Sequence, residues 1–140
     1  MGHGGGELTP ALRARLERAS TEFLARFFET EIERKPANLA ALVELGHLYT
    51  RLGRIQDGLA IDRELVRRLP DDPSVHYNLA CSLALSGAID AAFAALEAAV
   101  ARGYRDAEHL AGDEDLAALR EDERFAALVR RIQPRPQSED

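Results

Sequence analysis

Histidine, cysteine and clustered carboxylates are the residues of this chain whose side chains could do chemistry. The histidines are His3, His47, His76 and His109, and the single cysteine is Cys81. His47, His76 and His109 lack the histidine or cysteine partner four residues away that metal sites on helices usually show. His3 belongs to a glycine-rich terminal segment. We predict no metal site and no cofactor, and we expect His76 to pack as a hydrogen-bonded core histidine.

The remaining candidates also favour structural roles. Cys81 has no basic residue beside it in sequence that would lower its pKa, so it is predicted to be an unreactive small side chain. The acidic segment DEDLAALREDE lacks the alternating carboxylates of a calcium loop and is interpreted as a solvated capping segment. The glycines of MGHGGG follow no strand and form no phosphate loop. With no catalytic constellation, the chain is predicted not to be an enzyme.

Composition narrows the class of protein. The chain has 140 residues, enough for one domain with a core, and its formal net charge of -6 disfavours a nucleic-acid binder. It has no run of about 18 apolar residues, so no membrane association is predicted. The lone cysteine and the absence of an export signal favour the cytoplasm. The basic residues are almost all arginine and the sequence is rich in alanine, which indicates a bacterial source.

An internal repeat organises the middle of the chain. At an offset of 34 residues the sequence matches itself at these pairs: Pro36 and Pro70, Leu45 and Leu79, Gly53 and Gly87, Ile55 and Ile89. Each unit predicts a helical hairpin, because two amphipathic helix patterns are separated by a glycine; in the first unit Pro70 ends the second helix. Gly46 and Gly58 disfavour helix, so we expect close helix approach there, with Ala80 and Ala92 in the matching positions.

The segment LAALVELGHLYTRLGRIQDGLAIDRELVRRLP resembles a tetratricopeptide repeat. The matching positions of the first unit are Leu42, Leu45, Gly46, Tyr49, Gly53, Gly58 and Pro70. In the second unit His76 replaces a bulky aromatic residue and Tyr104 replaces the closing proline. The resemblance implies an all-α fold, a short right-handed α-solenoid of antiparallel helix hairpins, and a role in protein–protein interaction.

The predicted organisation is a single domain over residues 7–133 between two disordered tails. The tails are residues 1–6, which read as a floppy tail or an expression scar, and residues 134–140. The domain comprises a leading segment (7–36), a first repeat (37–70), a second repeat (71–106) and a closing segment (107–133). The last resembles segments that close bacterial arrays of this family, and it is predicted to cover the final hairpin with Leu110, Leu116, Leu119, Phe125 and Leu128.

The leading segment has two interpretations. A break at residues 19–21 would make it a degenerate hairpin in the register of the repeats, and this interpretation is favoured. A continuous helix over residues 10–35 would be about 39 Å long and would overhang its neighbours. That overhang would present Leu16, Phe23, Phe27 and Phe28 to a second copy of the chain.

The resemblance also implies a binding groove, because the first helix of each unit lines the concave face. The residues predicted there are Ala40, Val43, His47, Thr50, Ser74, Tyr77, Asn78, Cys81 and Leu85. Val43 and His47 stand where a clamp for acidic peptides would have lysine and asparagine, and only Asn78 matches that clamp. The groove is therefore predicted to be uncharged and to bind an apolar or amphipathic peptide or helix.

Other interpretations remain open. Tyr77 and Leu85 could be covered by a neighbouring helix. The chain could be a self-assembly module acting through its phenylalanine-rich first helix. It could also be an accessory scaffold of a larger enzyme complex.

Overall fold

The computed structural model describes residues 6–134, and this part of the chain is all-α, without a strand. It contains seven α-helices and one 3₁₀ helix. The α-helices are α1 (Pro10–Arg34), α2 (Leu39–Arg51), α3 (Ile55–Arg68), α4 (Pro73–Leu85), α5 (Ile89–Ala101), α6 (Ala107–Gly112) and α7 (Glu123–Ile132). The 3₁₀ helix (Glu114–Leu119) lies between α6 and α7. Apart from Gly6 and Pro134, the predicted tails lie outside the described residues.

Short polar side chains fix where several of the helices begin. Thr9 precedes Pro10, the first residue of α1, and its hydroxyl accepts a hydrogen bond from the Leu12 amide. Asn38 caps α2 similarly, because its side-chain oxygen accepts from the Ala41 amide. Asp72 caps α4 with Pro73 as its first residue. These side chains satisfy amide groups that have no partner within the helix.

Three glycines with positive φ follow the ends of α2, α4 and α5. They are Gly53 (φ 73°), Gly87 (φ 84°) and Gly103 (φ 109°). At each position the two amides after the helix bond back to carbonyl groups of its last turn, as when Arg54 donates to Tyr49. Only glycine adopts this conformation without strain, so the turns after α2, α4 and α5 are set by the sequence.

The first helix is continuous, and the predicted break at residues 19–21 is wrong. The Thr21 hydroxyl donates to the Glu17 carbonyl oxygen at 2.8 Å, so this polar residue is satisfied inside the helix. At 25 residues, α1 is nearly twice as long as α2. Its first half, up to Ser20, is exposed throughout.

Consecutive helices pack against one another from α1 to α5. α2 and α3 approach closely at the two glycines, as expected: a Cβ on Gly46 would lie 3.2 Å from Asp62 Oδ1, and one on Gly58 would lie 3.4 Å from Thr50 Oγ1. The buried His76 lies with Nε2 2.7 Å from the Pro70 carbonyl oxygen, which agrees with the predicted core role.

Contacts between units repeat with the sequence. Arg68 donates to the Pro36 carbonyl oxygen, and 34 residues later Arg102 donates to that of Pro70. Another pair of residues 34 positions apart meets near the C-terminal end of the helices, where Arg131 pairs with Glu97 at 2.7 Å. The repeat therefore appears in the structure as equivalent contacts between successive units.

The C-terminal segment seals one end of the molecule. The 3₁₀ helix packs on α4, and α7 packs on α5 and α6. All five residues predicted to cover the last hairpin are buried, and Leu110, Leu116 and Leu119 have no exposed surface. We call residues 104–132 the cap. None of the helices in the described part of the chain is long and apolar enough to cross a membrane.

Candidate functional site

A cleft of about 470 Å³ lies between α2, α4 and the cap, and we call it the α2–α4 cleft. Most of its lining residues have polar side chains. The lining residues are Gly46, His47, Thr50, Arg51, Asp62, Tyr77, Asn78, Cys81, Ser82, His109, Asp113 and Asp115. These residues come from four segments of the chain, so the cleft exists only when α2, α3, α4 and the cap are packed together.

Asp113, at the start of the 3₁₀ helix, organises the deeper wall of the cleft. Its Oδ2 accepts a hydrogen bond from the Tyr77 hydroxyl at 2.6 Å and one from the Cys81 thiol at 3.7 Å. Its Oδ1 accepts from the Asp115 amide at 3.0 Å. His109 Nε2 lies 3.4 Å from Oδ2. Asp113 therefore ties the cap to α4 and has little capacity left for a ligand.

Aromatic stacking holds the same wall. The rings of Tyr77 and Tyr104 are stacked with centroids 4.5 Å apart, and the His109 ring lies 5.5 Å from that of Tyr77. Burial is the main cause that raises the pKa of the Tyr104 hydroxyl to about 12. Burial and the bond to Asp113 raise the pKa of Tyr77 further. Both phenols are therefore neutral at physiological pH, and Tyr77 acts as a hydrogen-bond donor.

Two further carboxylates face the cleft without a lysine or arginine partner. Within the described residues, no lysine or arginine nitrogen lies within 4 Å of the carboxylate of Asp62 or Asp115. Asp62 is only 6% exposed, and one of its oxygens accepts from the Ser82 hydroxyl. Burial raises the pKa of Asp62, while Ser82 and His47 act in the opposite direction. Burial and the neighbouring Asp113 raise the pKa of Asp115, while His47 acts in the opposite direction. Both carboxylates would thus gain from a cation.

One group of the described residues has the composition of a metal site. The Cys81 thiol and the carboxylates of Asp113 and Asp115 have ligand atoms within 4.8 Å of one another. A metal would need the thiolate, but burial raises the pKa of Cys81 well above its ordinary value. It would also have to replace the bonds from Tyr77 and Cys81 to Asp113. The group is accounted for as a hydrogen-bonded contact between the cap and α4.

The predicted groove residues fall into two sets. His47, Thr50, Tyr77, Asn78 and Cys81 meet in the α2–α4 cleft. The residues outside its lining are Ala40, Val43, Ser74 and Leu85. Val43 is half-buried against the core cluster of α2, α3 and α4, whereas Ala40, Ser74 and Leu85 are exposed.

Two expectations about the groove are corrected. Tyr77 and Cys81 are 5% and 8% exposed, because the cap covers them, so they do not form an open surface for a partner. The groove was also expected to be uncharged, but Asp62, Asp113 and Asp115 line the α2–α4 cleft. Sequence reasoning missed these carboxylates because it assigned the acidic segment to solvent and looked only at the first helix of each unit. The mid-helix position of Asp62, opposite Gly46, was the available signal.

The second predicted surface is on α1. Leu16, Phe23 and Phe27 are exposed, Phe23 to 65% and Phe27 to 56%. Phe28 differs: it is half-buried and packs against the cluster formed by α1 and α2. Three of the four residues predicted for an oligomer face therefore lie on the surface.

Comparison with known proteins assigns neither surface. The chain matches no protein-family model and no curated protein.

Proposed function

We propose that this chain is a non-catalytic protein-interaction module, a short α-solenoid of the tetratricopeptide kind closed by a C-terminal cap. Its α2–α4 cleft binds an amphipathic polypeptide segment and receives a basic side chain of that segment. The single observation that carries the proposal is the pair of carboxylates, Asp62 and Asp115, that face the cleft without a lysine or arginine partner.

The architecture supports an interaction role. The 34-residue repeat, the two close glycine contacts between α2 and α3, and the equivalent bonds from Arg68 and Arg102 are what a stack of helical hairpins requires. Such stacks present a concave surface formed by successive units. The cleft lies between α2 and α4, the first helices of the two predicted repeats.

The chemistry of the cleft supports a basic rather than an acidic ligand. Three carboxylates line it, against one arginine, Arg51, and two histidines, His47 and His109. An acidic peptide would be repelled there, whereas a guanidinium or ammonium group would bring the missing positive charge. Asn78 lies half-buried at the cleft, and its amide can both donate to and accept from a peptide backbone.

Peptide binding tests the proposal. The probes are short fluorescent leucine-rich peptides that differ only in their central residue, which is arginine, alanine or glutamate. Fluorescence anisotropy should show the arginine peptide binding most tightly, with an affinity that falls as salt is added. Replacing its arginine by alanine should weaken binding about tenfold to a hundredfold, as expected for one charge-assisted hydrogen bond.

A pair of matched variants locates the binding. Asp115→Asn should reduce affinity for the arginine peptide by a similar factor, because it removes a carboxylate of the cleft with little change of shape. Glu121→Gln makes the same change of charge on an exposed residue of the cap outside the cleft, and it should bind like the unmodified chain. Equal affinity for the arginine and glutamate peptides, or equal loss in both variants, would contradict the proposal.

A further inference from the structure

An apolar stripe on α1 is exposed to solvent in the single chain. At 100° per residue, Leu12, Leu16, Ala19, Phe23 and Phe27 fall within an arc of about 80° on the helix surface. The four large side chains of this set are each more than two-fifths exposed. We call these five residues the α1 stripe.

The stripe is not used by the fold of a single chain. Ala25 and Ile32, which pack against α2, lie on the opposite side of the same helix. Ala25 is the only buried residue of α1. Exposed phenylalanine and leucine in a continuous row are typical of a contact surface, because burying each such side chain is favourable by about 1.5–3 kcal/mol.

The order of residues in the stripe is symmetric about its centre. Leu16 and Phe23 lie equally far on either side of the midpoint between Ala19 and Ser20, and so do Leu12 and Phe27. Two copies of α1 that cross antiparallel at this midpoint would place each leucine opposite a phenylalanine. The small residues at the crossing allow the two helices to approach closely.

The charges of α1 have the matching polarity. Before Thr21 the helix carries three arginines and one glutamate, and from Thr21 onward it carries four glutamates and two arginines. An antiparallel pair sets the basic half of each copy against the acidic half of the other. A parallel pair would set like against like.

We propose that α1 forms an antiparallel two-fold dimer with α1 of a second copy of this chain, through the α1 stripe. A two-fold contact between identical surfaces is the commonest form of self-association in soluble proteins. The interface is separate from the α2–α4 cleft, so the two proposals stand or fall independently.

Disulfide trapping in the full chain tests the predicted geometry. Under mild oxidation Ala19→Cys should give a covalent dimer, because the two substituted residues meet at the two-fold axis. Leu12→Cys is the matched control: the two copies of this residue would lie about 22 Å apart along the helices, too far for a disulfide. The native Cys81 is buried and provides the background. Trapping at both positions would indicate a parallel pair and overturn the proposal, as would trapping at neither.

Sedimentation velocity at several concentrations measures the association itself. The unmodified chain should be a concentration-dependent dimer. Phe23→Glu should raise the dimer dissociation constant about a hundredfold or more, because two-fold symmetry makes each substitution act twice. Leu85→Glu, on another exposed leucine outside α1, should leave it unchanged. A chain that stays monomeric at all concentrations, or that responds equally to both substitutions, would overturn the proposal.

Discussion

The two ends of the row of packed helices differ in how much apolar surface the chain itself covers. At the C-terminal end, short helices fold back over α4 and α5, and Leu110, Leu116 and Leu119 lose all contact with solvent. At the N-terminal end, the long α1 buries one residue and leaves Phe23 and Phe27 exposed. A row of packed helices has an apolar face at each end, and each face must be covered. One end is covered by its own chain, whereas the other leaves an apolar stripe open on α1.

The same contrast appears in two tyrosines that tie the end segments to the stack. Tyr77 donates to Asp113 of the cap at 2.6 Å, and Tyr49 donates to Glu29 of α1 at 2.7 Å. The Asp113 side chain is largely buried, while that of Glu29 is about one-third exposed and also lies 3.7 Å from Arg54. Similar bonds therefore operate in environments of different polarity.

Truncating a leucine at each end should give the largest difference. Leu116→Ala should lower the free energy of unfolding by about 2–5 kcal/mol, because it leaves a cavity in a closed core. Leu16→Ala should change it by less than about 0.5 kcal/mol, since the side chain is exposed in the monomer. Urea unfolding monitored by circular dichroism, at concentrations where the chain is monomeric, measures both. Equal losses would show that the two ends are not finished differently.

Removing the hydroxyl from each tyrosine should have an intermediate effect. Tyr77→Phe should cost about 1.5–3 kcal/mol, because it removes a hydrogen bond to a buried carboxylate. Tyr49→Phe should cost less, about 0.5–1.5 kcal/mol, since water and Arg54 can replace the lost donor. The same unfolding experiment tests the order. A larger loss for Tyr49→Phe would mean that α1 is held more firmly than the cap.

Neutralising a buried carboxylate should have the smallest effect, and it should be stabilising. Burial raises the pKa of Asp62, so the folded state holds the charged form less favourably than the unfolded state does. Asp62→Asn should therefore increase the free energy of unfolding at neutral pH while still accepting a bond from Ser82. The gain should disappear as the pH falls below the usual aspartate pKa of about 3.9, where the unfolded carboxyl is also protonated.

Glu17→Gln, on the exposed half of α1, provides the control for that substitution. It removes the same charge from a solvated position and should leave stability unchanged within about 0.5 kcal/mol at either pH. If Asp62→Asn destabilised the chain at neutral pH, the charged form of Asp62 would be stabilising the fold. The carboxylate would then already be satisfied and would gain little from a cationic ligand.

The sequence by itself determined the features that depend on local rules. The all-α class, the turns at Gly53 and Gly87, and the core position of His76 all follow from helix periodicity, glycine conformation and repeat register. The close approach at Gly46 and Gly58 was also readable, because two glycines within helices are otherwise unfavourable. The continuity of α1 was misjudged, since the hydroxyl of Thr21 is satisfied by its own helix rather than ending it.

Only the tertiary structure decided the chemistry of the α2–α4 cleft. Asp113 is 36 residues from Tyr77 in the chain, and no periodicity relates the two. Their contact arises because the cap folds back over α4, which buries Tyr77 and Cys81. The same packing brings carboxylates into the α2–α4 cleft, which the sequence predicted to be uncharged. Helix patterns report which face of a segment is apolar, whereas the partner of that face depends on how distant segments pack.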